Sequence, residues 1–450
     1  MPRGLVSLLA AALVVESALA QPCPPEWCDV GSFHGSPAVV RALARFDDGT
    51  GEKIYAAGVF DTVGNRYAEN LAVFDGRQWR SILPGTDGEV RTLRVLDDGS
   101  GPALFVGGRF QNAGGQPAAL LAKYDGWTWT PVPGLANYPG TLASWTTVYD
   151  VVTWDRGGGP ELYVGGFFGL AGSTNPVSVA RRTGEGFEPL GTGLTATPFQ
   201  SIIGVGALRV IDLGDGPALY VGGTFATAGG VDARNIARWN GSAWSGLGPG
   251  LAESGADGYV VPTVTAILPD GDSGALLVAG DFEVSGVAGV ARWDGAAWSV
   301  LPGDFAPNGA GRITVIENGP DAGLYAHGRF LTLDGQPATG IARWTGSRWS
   351  NVGPAIPNQG LNDLIDVVDH RGPAILAAGR TLFGSSSTPI ARRGALLGDL
   401  DCSGEVGLPD LAILLTAFGV SPEGDLNGDG STSLEDLAIL LSKFGNACGA

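Results

Sequence analysis

Two stretches near the C-terminus carry oxygen donors at a spacing that suits a hard cation: DLDCSGEVGLPD over residues 399–410 and DLNGDGSTSLED over 425–436. They lie 26 residues apart, and each runs on into a near-identical segment, LAILLTAFG or LAILLSKFG. A twelve-residue calcium loop needs oxygen ligands at positions 1, 3 and 5, a backbone carbonyl at 7 and a carboxylate at 12, with glycine at 6 to make the turn. The second loop offers Asp425, Asn427, Asp429, the carbonyl of Ser431, and Asp436, with Gly430 at the turn. The first offers Asp399, Asp401, Ser403, the carbonyl of Glu405, and Asp410, with Gly404 at the turn. Two calcium ions are expected. The first site is the weaker, because Ser403 is neutral and Gly407 replaces a polar ninth position.

Each loop must be followed by an element that holds its last carboxylate. Leu411, Leu414, Leu415 and Phe418 recur at helical spacing, as do Leu437, Leu440, Leu441 and Phe444, with Gly419 and Gly445 as stops. Two such helices have little core of their own, so bound calcium would supply the missing stability. Residues 398–450 hold nine acids and one lysine, a net charge of −8 within a chain of −18. This concentration marks them as a separate module. The overall charge also disfavours nucleic acid or an anionic membrane as partner.

Elsewhere the residues suited to chemistry are sparse. His34, His327 and His370 are far apart, and His327 stands where sister segments carry glycine or alanine. No cysteine lies between Cys28 and Cys402, which excludes a copper oxidase built on a cysteine-linked tyrosine. Two-carboxylate glycoside chemistry needs convergent acids, and the unrepeated ones, Glu161, Glu188, Asp281, Glu317 and Asp366, cannot be paired from sequence. No nucleophile motif, phosphate loop or zinc spacing stands out.

What dominates the chain is repetition. LYVGGTF at Leu219 has relatives beginning at Ile54, Leu104, Leu162, Leu276, Leu324 and Ile375, at intervals of 50, 58, 57, 57, 48 and 51 residues. Such a period belongs to an array of sheets. Each repeat offers four extended pieces: an apolar run ending in acids and glycine, the glycine-paired phrase, a segment such as NIARWNG at Asn235, and a piece opening on Trp79, Trp129, Phe187, Trp244, Trp298 or Trp349. Asp75-Gly76, Asp125-Gly126, Asn240-Gly241 and Asp294-Gly295 predict tight hairpins between the third and fourth pieces. The paired glycines invite a bulky neighbour, for which the recurring tryptophan is the expected filler.

The seventh repeat has no aromatic fourth piece, whereas Trp27-Cys-Asp-Val-Gly31 matches Trp349-Ser-Asn-Val-Gly353. The N-terminal strand is therefore expected to finish the last sheet and close the ring, leaving no open edge. The fold class expected is mainly β: a seven-bladed β-propeller of four-stranded blades over 21–397, plus a small α-helical calcium-binding domain over 398–450. Residues 133–148, 191–205 and 248–263 lengthen three successive connections on one face, and bring Tyr138, Trp145, Phe199 and Tyr259 as a candidate ligand rim. The alternative is that these rings pin their own loops.

Residues 1–20 read as a signal peptide: Arg3, the apolar run LVSLLAAALVV, then Ala18-Leu19-Ala20, with the mature chain beginning near Gln21. The run is shorter than the roughly 20 residues a spanning helix needs, so no membrane span is expected after cleavage. A secreted or cell-surface location would favour disulfides among Cys23, Cys28, Cys402 and Cys448, for which three pairings are open.

The phrases LYVGGTF and ARWNGSAW resemble a kelch-type β-propeller over about residues 30–395. The tail resembles a type I dockerin, in which duplicated calcium-loop helices dock a cohesin domain on another protein. That resemblance implies the calcium ligands named above and brings Cys402 towards Cys448. It places partner choice at loop positions 10 and 11, here Leu408-Pro409 and Leu434-Glu435 in place of small hydroxyl residues. The implied partner is a cohesin-like or other extracellular protein. The functional expectation is an exported, non-catalytic binding or display protein whose loop face takes a glycan or a protein. A polysaccharide-active hydrolase or lyase carried on a dockerin is the alternative, and a purely structural surface protein a third reading.

Overall fold

A computed structural model describes residues 27–29, 33–35, 37–76, 78–138, 145–196, 203–253, 264–271, 273–284, 287–306, 309–318, 321–338, 340–352, 360–369, 372–380, 389–393, 398–400, 405–420, 426 and 431–445. The chain divides into two compact units, one built on Pro25–Gly394 and one on Ala395–Cys448. Among the described residues, no helix is long and apolar enough to cross a membrane.

The larger unit is mainly β. Each repeat contributes to one antiparallel sheet built on four strands. Sheet I comprises Val39–Asp47, Glu52–Val59, Leu71–Phe74 and Trp79–Ser81. Sheet II comprises Glu89–Asp97, Pro102–Arg109, Leu121–Tyr124 and Trp129–Pro131. Sheet III comprises Thr147–Asp155, Pro160–Leu170, Pro176–Thr183 and Gly186–Pro189, with Leu135–Ala136 as a fifth strand on the long second one. Sheet IV comprises Gly204–Asp212, Pro217–Thr224, Ile236–Trp239 and Trp244–Gly246. Sheet V comprises Val264–Pro269, Leu276–Gly280, Ala291–Trp293 and Trp298–Val300. Sheet VI comprises Arg312–Ile316, Gly323–His327, Ile341–Trp344 and Trp349–Asn351. Sheet VII has Leu361–Asp369, Gly372–Gly379 and Ile390–Arg393, and takes its fourth strand, Trp27–Asp29, from the other end of the chain. The register there is Trp27 to Arg393, Cys28 to Arg392 and Asp29 to Ala391.

Apolar faces of successive sheets meet pairwise. Phe46, Tyr55 and Leu93 join sheets I and II; Trp154, Leu208 and Val221 join III and IV; Ile316, Leu364 and Ile375 join VI and VII. Sheets VII and I share a cluster of the same kind, in which Leu376 and Ile390 pack with Leu43 and Ala56.

The paired glycines serve this packing, but the tryptophan is not their filler. A Cβ on Gly108 would lie 2.2 Å from the Glu89 carbonyl oxygen, and one on Gly223 would lie 2.1 Å from that of Gly204. In both places the first, inner strand bulges against the glycine: its register slips at Arg91 in sheet II and at Gly206 in sheet IV. The preceding glycine admits a valine of the next sheet; a Cβ on Gly222 would be 2.3 Å from Val264 Cγ1. The fourth-strand ring instead covers the connection between strands two and three. At Gly114, where φ is +61°, an added Cβ would be 2.3 Å from Trp129. The ring also ties neighbouring sheets together, since Trp244 Nε1 donates to Leu190 O at 3.0 Å and Trp298 Nε1 to Leu247 O at 2.9 Å.

The expected tight Asp-Gly hairpins are wider than two residues. Tyr124 faces Trp129 across a loop in which only Gly126 takes positive φ, while Asp125 Oδ1 accepts the N–H groups of Trp127 and Thr128. The aspartate acts as an acceptor for turn amides rather than as a left-handed residue. The turns between strands one and two follow the same logic: Asp47, Asp97, Asp155 and Asp212 each accept two glycine N–H groups through one oxygen. The recurring acids are thereby assigned to turns.

A second tier of short strands was not expected. The segment entering a sheet pairs with the hairpin between that sheet's second and third strands, as in Phe33–His34 with Thr62–Val63, Leu194–Thr195 with Thr227–Ala228, and Phe305–Ala306 with Thr332–Leu333.

In the smaller unit, helices Leu408–Ala417 and Leu434–Lys443 follow the two acidic loops. Gly419 and Gly445 have φ of +67° and +86° and end them. Val406, Leu414 and Leu440 form the buried centre, with Leu411, Phe418 and Leu437 packed around it. Leu415, Leu441 and Phe444, expected on the inward stripe, are exposed instead.

Candidate functional site

The inner strands of sheets I to VII neighbour one another in sequence order, and that of sheet VII neighbours that of sheet I. Their shared interior is polar. The bulge sets which side chains reach it: the residue after the slip is Ala42, Thr92, Ala207 or Ala266 in four sheets, but Asp150 and Asp363 in sheets III and VII.

Asp150 is a clasp between three sheets. Arg94 Nε donates to Oδ1 at 2.8 Å, Arg209 Nη1 to Oδ2 at 3.1 Å, and Leu208 N to Oδ2 at 2.9 Å. Burial pushes this carboxyl up, but Arg94 and Arg209 outweigh it and hold the group below its ordinary range. Asp363 repeats the backbone part of the device at the junction of the last and first sheets: Leu43 N donates to Oδ2 at 2.8 Å and Leu364 N to Oδ1 at 3.0 Å. Leu43 and Leu208 occupy the same position after their bulges. The junction of VII with I is therefore made like that of III with IV. Here burial dominates and Asp363 is raised, with Arg312 and the Leu43 N–H opposing.

At the strand starts, Glu89 gathers Arg41, Arg91 and Arg109, each at 3.0 Å. Arg41 also reaches Asn362 Oδ1, and Asn362 Nδ2 donates to Val40 O at 2.8 Å, another bond from sheet VII to sheet I. Arg91 lies over the Tyr149 ring, 5.7 Å from its centroid. Asp366 accepts from Arg45 at 3.1 Å and from Asn318 at 2.7 Å.

Sheet VI departs from the repeat at two paired positions. His327 stands where the other repeats have glycine or alanine and lies opposite Arg312 in the register. His327 is fully buried; its Nε2 lies 3.1 Å from Thr314 Oγ1, and its Nδ1 has no hydrogen-bond partner. Burial, helped by the Arg312 charge, lowers its pKa to about 3, so the ring is neutral. Burial and the nearby Arg94 lower Arg209 to about 10.

Of the unrepeated acids, Asp366 joins this interior. Glu161 pairs with Arg156 and Arg181, and Glu188 with Arg181. His34 is exposed on the second tier. His370 lies outside the described residues.

The rim expectation divides. Tyr138 is part-buried, its ring packed edgewise on Phe167 with centroids 5.7 Å apart, and its N–H donates to Thr146 Oγ1 at 3.1 Å. It pins its own loop. Trp145 is 45% exposed. Phe199 and Tyr259 lie outside the described residues.

In the smaller unit, Asp401, Ser403, Asp425, Asn427 and Asp429 lie outside the described residues, as do the side chains of the four cysteines. Asp399 is buried, while Glu405 and Ser431 are exposed. Asp410 and Asp436, the loop-ending acids, are fully buried and held alike. Asp410 accepts from Leu400 N and Gly407 N, and Asp436 from Leu426 N and Ser433 N, all at 2.7 Å. Ser433 Oγ also donates to Asp436 Oδ2, at 3.0 Å, and carboxylate oxygens of this kind are the donor type a hard cation takes. The helix ends are exchanged reciprocally: Gly419 N donates to Thr432 O and Gly445 N to Val406 O. Both relations repeat with the 26-residue offset.

The inner charges were missed because nothing in an isolated strand distinguishes a channel acid from a turn acid. Alignment on the second glycine would have exposed Asp150, Arg312 and Asp363, since their counterparts are small.

No protein-family model matches this chain, and no curated protein does. Solved structures similar to it include the extracellular domain of a putative one-component system, BT4673, of B. thetaiotaomicron, at 11% identity and a TM-score of 0.44 over 82% of this chain and 39% of that one. BBS1N in complex with ARL6DN gives 12% identity and a TM-score of 0.40 over 83% of this chain and 97% of that one. This chain thus spans well under half of the extracellular domain, and likeness of this degree decides neither fold nor function.

Proposed function

We propose that this is an exported, non-catalytic binding or display protein: a seven-bladed kelch-type β-propeller, closed by Trp27–Asp29, joined to a dockerin-like tail that takes two calcium ions and engages a cohesin-like or other extracellular protein. The repeated clasp at Asp150 and Asp363 supports closure. The observation that carries the functional reading is a duplicated apolar surface on the tail. Leu408 and Leu434, at loop position 10, are both 72% exposed, and Leu415 and Leu441 are both 53% exposed. Solvent-facing leucines in matched pairs suit a partner surface better than a fold that stands alone. Calcium holds the loops, the loops set the helices, and the helices present the leucines.

The test is capture of the full chain by a panel of immobilised cohesin domains, with calcium and with EDTA, and with L408D/L434D. Calcium-dependent capture lost in the double variant supports the reading; capture that ignores both EDTA and the substitutions rejects it. For the loop face, retention on a polysaccharide panel without release of reducing ends separates binding from hydrolysis.

The hydrolase alternative draws on one observation: Asp150 is lowered and Asp363 raised, the division of labour that two-carboxylate chemistry uses. Against it, both groups are engaged as clasps through backbone N–H bonds. Reducing-end release abolished by D363N would restore that reading.

A further inference from the structure

The inner strands carry six arginines, at 41, 45, 91, 94, 209 and 312, against Glu89, Asp150, Asp363 and Asp366, the acids other than those of the strand-ending turns. This cationic excess sits inside a chain whose net charge is −18. Five of these arginines already hold a carboxylate of the chain: Arg41 and Arg91 on Glu89, Arg94 and Arg209 on Asp150, and Arg45 on Asp366. Arg312 is the exception. Among the described residues its guanidinium makes no hydrogen bond or ion pair, although the charges of Asp363, Arg94, Asp150 and Arg91 all act on it. Among the described residues Asp363 makes no hydrogen bond or ion pair to it; the Asp363 oxygens accept from Leu43 N and Leu364 N.

A second observation points the same way. His327, opposite Arg312 in the register, is fully buried with Nδ1 unpartnered. A buried polar atom left without a partner is costly and calls for an explanation. Both residues depart from the repeat, in the same sheet and at paired positions, so one cause accounts for both.

We propose that Arg312 is an unfilled carboxylate receptor in the interior of the inner strands, and that it binds the carboxylate of an acidic sugar unit. A planar guanidinium fork matches a planar carboxylate with two parallel bonds, and the neighbouring arginines already display that pairing with the chain's own acids. His327 acts beside it as a neutral donor through Nδ1–H, with the Thr314 hydroxyl donating to Nε2. The sugar identity rests on the glycan-binding reading of the loop face; the carboxylate preference rests on Arg312 alone.

The experiment is calorimetric titration of the full-length protein with D-glucuronate, D-glucose and inorganic phosphate at constant ionic strength, for the wild type, R312Q and R312K. Saturable glucuronate binding is expected, with no binding of glucose and a loss of tenfold or more in R312Q. R312K keeps the charge without the fork and should bind with intermediate affinity; it carries the test if R312Q does not fold. Absence of saturable glucuronate binding, equal binding in the variants, or phosphate bound in preference to glucuronate would each overturn the assignment. Retention on a polysaccharide that persists undiminished in R312Q would also overturn this site while leaving glycan binding at the loop face intact. Loss of polysaccharide retention with free glucuronate still bound would do the reverse.

Discussion

The sheet unit and the C-terminal unit are both built by copying a segment, yet they hold their copies together by different means. In the sheet unit each copy shares an apolar cluster with the next, from Phe46 and Leu93 at one junction to Ile316 and Leu364 at another. Polar groups there are added to a core that already exists. In the C-terminal unit the fully formed centre is Val406, Leu414 and Leu440. Each half is tied within itself by a buried carboxylate, and the two halves are joined by exchanged backbone bonds. The physical difference is burial per residue: a short segment with a small core offsets little of its chain entropy. The calcium proposed above would supply the difference.

Chelation should break that comparison most widely. With EDTA, amides of residues 408–445 should lose their protection from hydrogen exchange while those of the sheets keep theirs. D436A should do the same without a chelator, because it strands the N–H groups of Leu426 and Ser433 and leaves buried donors unsatisfied, at a cost of about 1–3 kcal/mol each. D410A should match it, given the 26-residue equivalence. Helices that stay protected in both variants would show that the small apolar core suffices.

Within the sheets the largest single effect should come from D150A. It removes one acceptor shared by Arg94, Arg209 and Leu208 N and leaves two interior cations facing each other, a loss of about 3–5 kcal/mol. Urea denaturation should show the change as a lower midpoint, and the C-terminal unit should be unaffected. An unchanged midpoint would mean that the clasp adds nothing to the apolar junctions.

These two sites differed in how readable they were. The helices after the acidic loops and their glycine stops were legible because the signals for them are close together in sequence. The period, the turn acids and the pairing of Trp27 with the last sheet were legible because repetition reveals any missing strand. The Asp150 clasp was not legible, since it joins residues 56 and 59 positions apart on three strands, and its direction depends on a bulge. The role given to tryptophan failed for a related reason. Sequence shows that glycine leaves room, but only the register shows that a carbonyl and a valine take it. The helix stripe failed at Leu415 and Leu441 because helical spacing gives a face, while the partner's size decides how much of the face is covered.

His327 offers a finer probe, through pH. Its folded pKa of about 3 lies below the ordinary value of 6.5, so the unfolded chain takes up the proton first. Its stabilising contribution is present above about pH 6.5 and is lost as pH falls towards 3. Between pH 8 and pH 5 this amounts to about 2 kcal/mol. H327A should flatten that part of the curve of urea midpoint against pH, whatever it does to the midpoint at pH 8. Asp363 gives the opposite sign: its pKa is raised, so its contribution falls as pH rises through the folded value. The two trends are told apart by their opposite signs. A slope that survives in H327A would place the titration elsewhere.

The smallest effect expected is W244F, and it tests how the sheets are tied rather than whether they are. The ring of Trp244 packs at 5.1 Å from Trp239 and its Nε1–H donates across to Leu190 O. Phenylalanine keeps most of the apolar contact but strands the carbonyl, which should cost about 1–2 kcal/mol. Trp79 Nε1 and Trp349 Nε1 are buried without partners, so W79F and W349F lose no such bond. If the array is held by ring packing alone, all three variants should fall together. If the indole N–H is a true tie between sheets, W244F should be the least stable of the three, and the gap between it and W349F measures that bond.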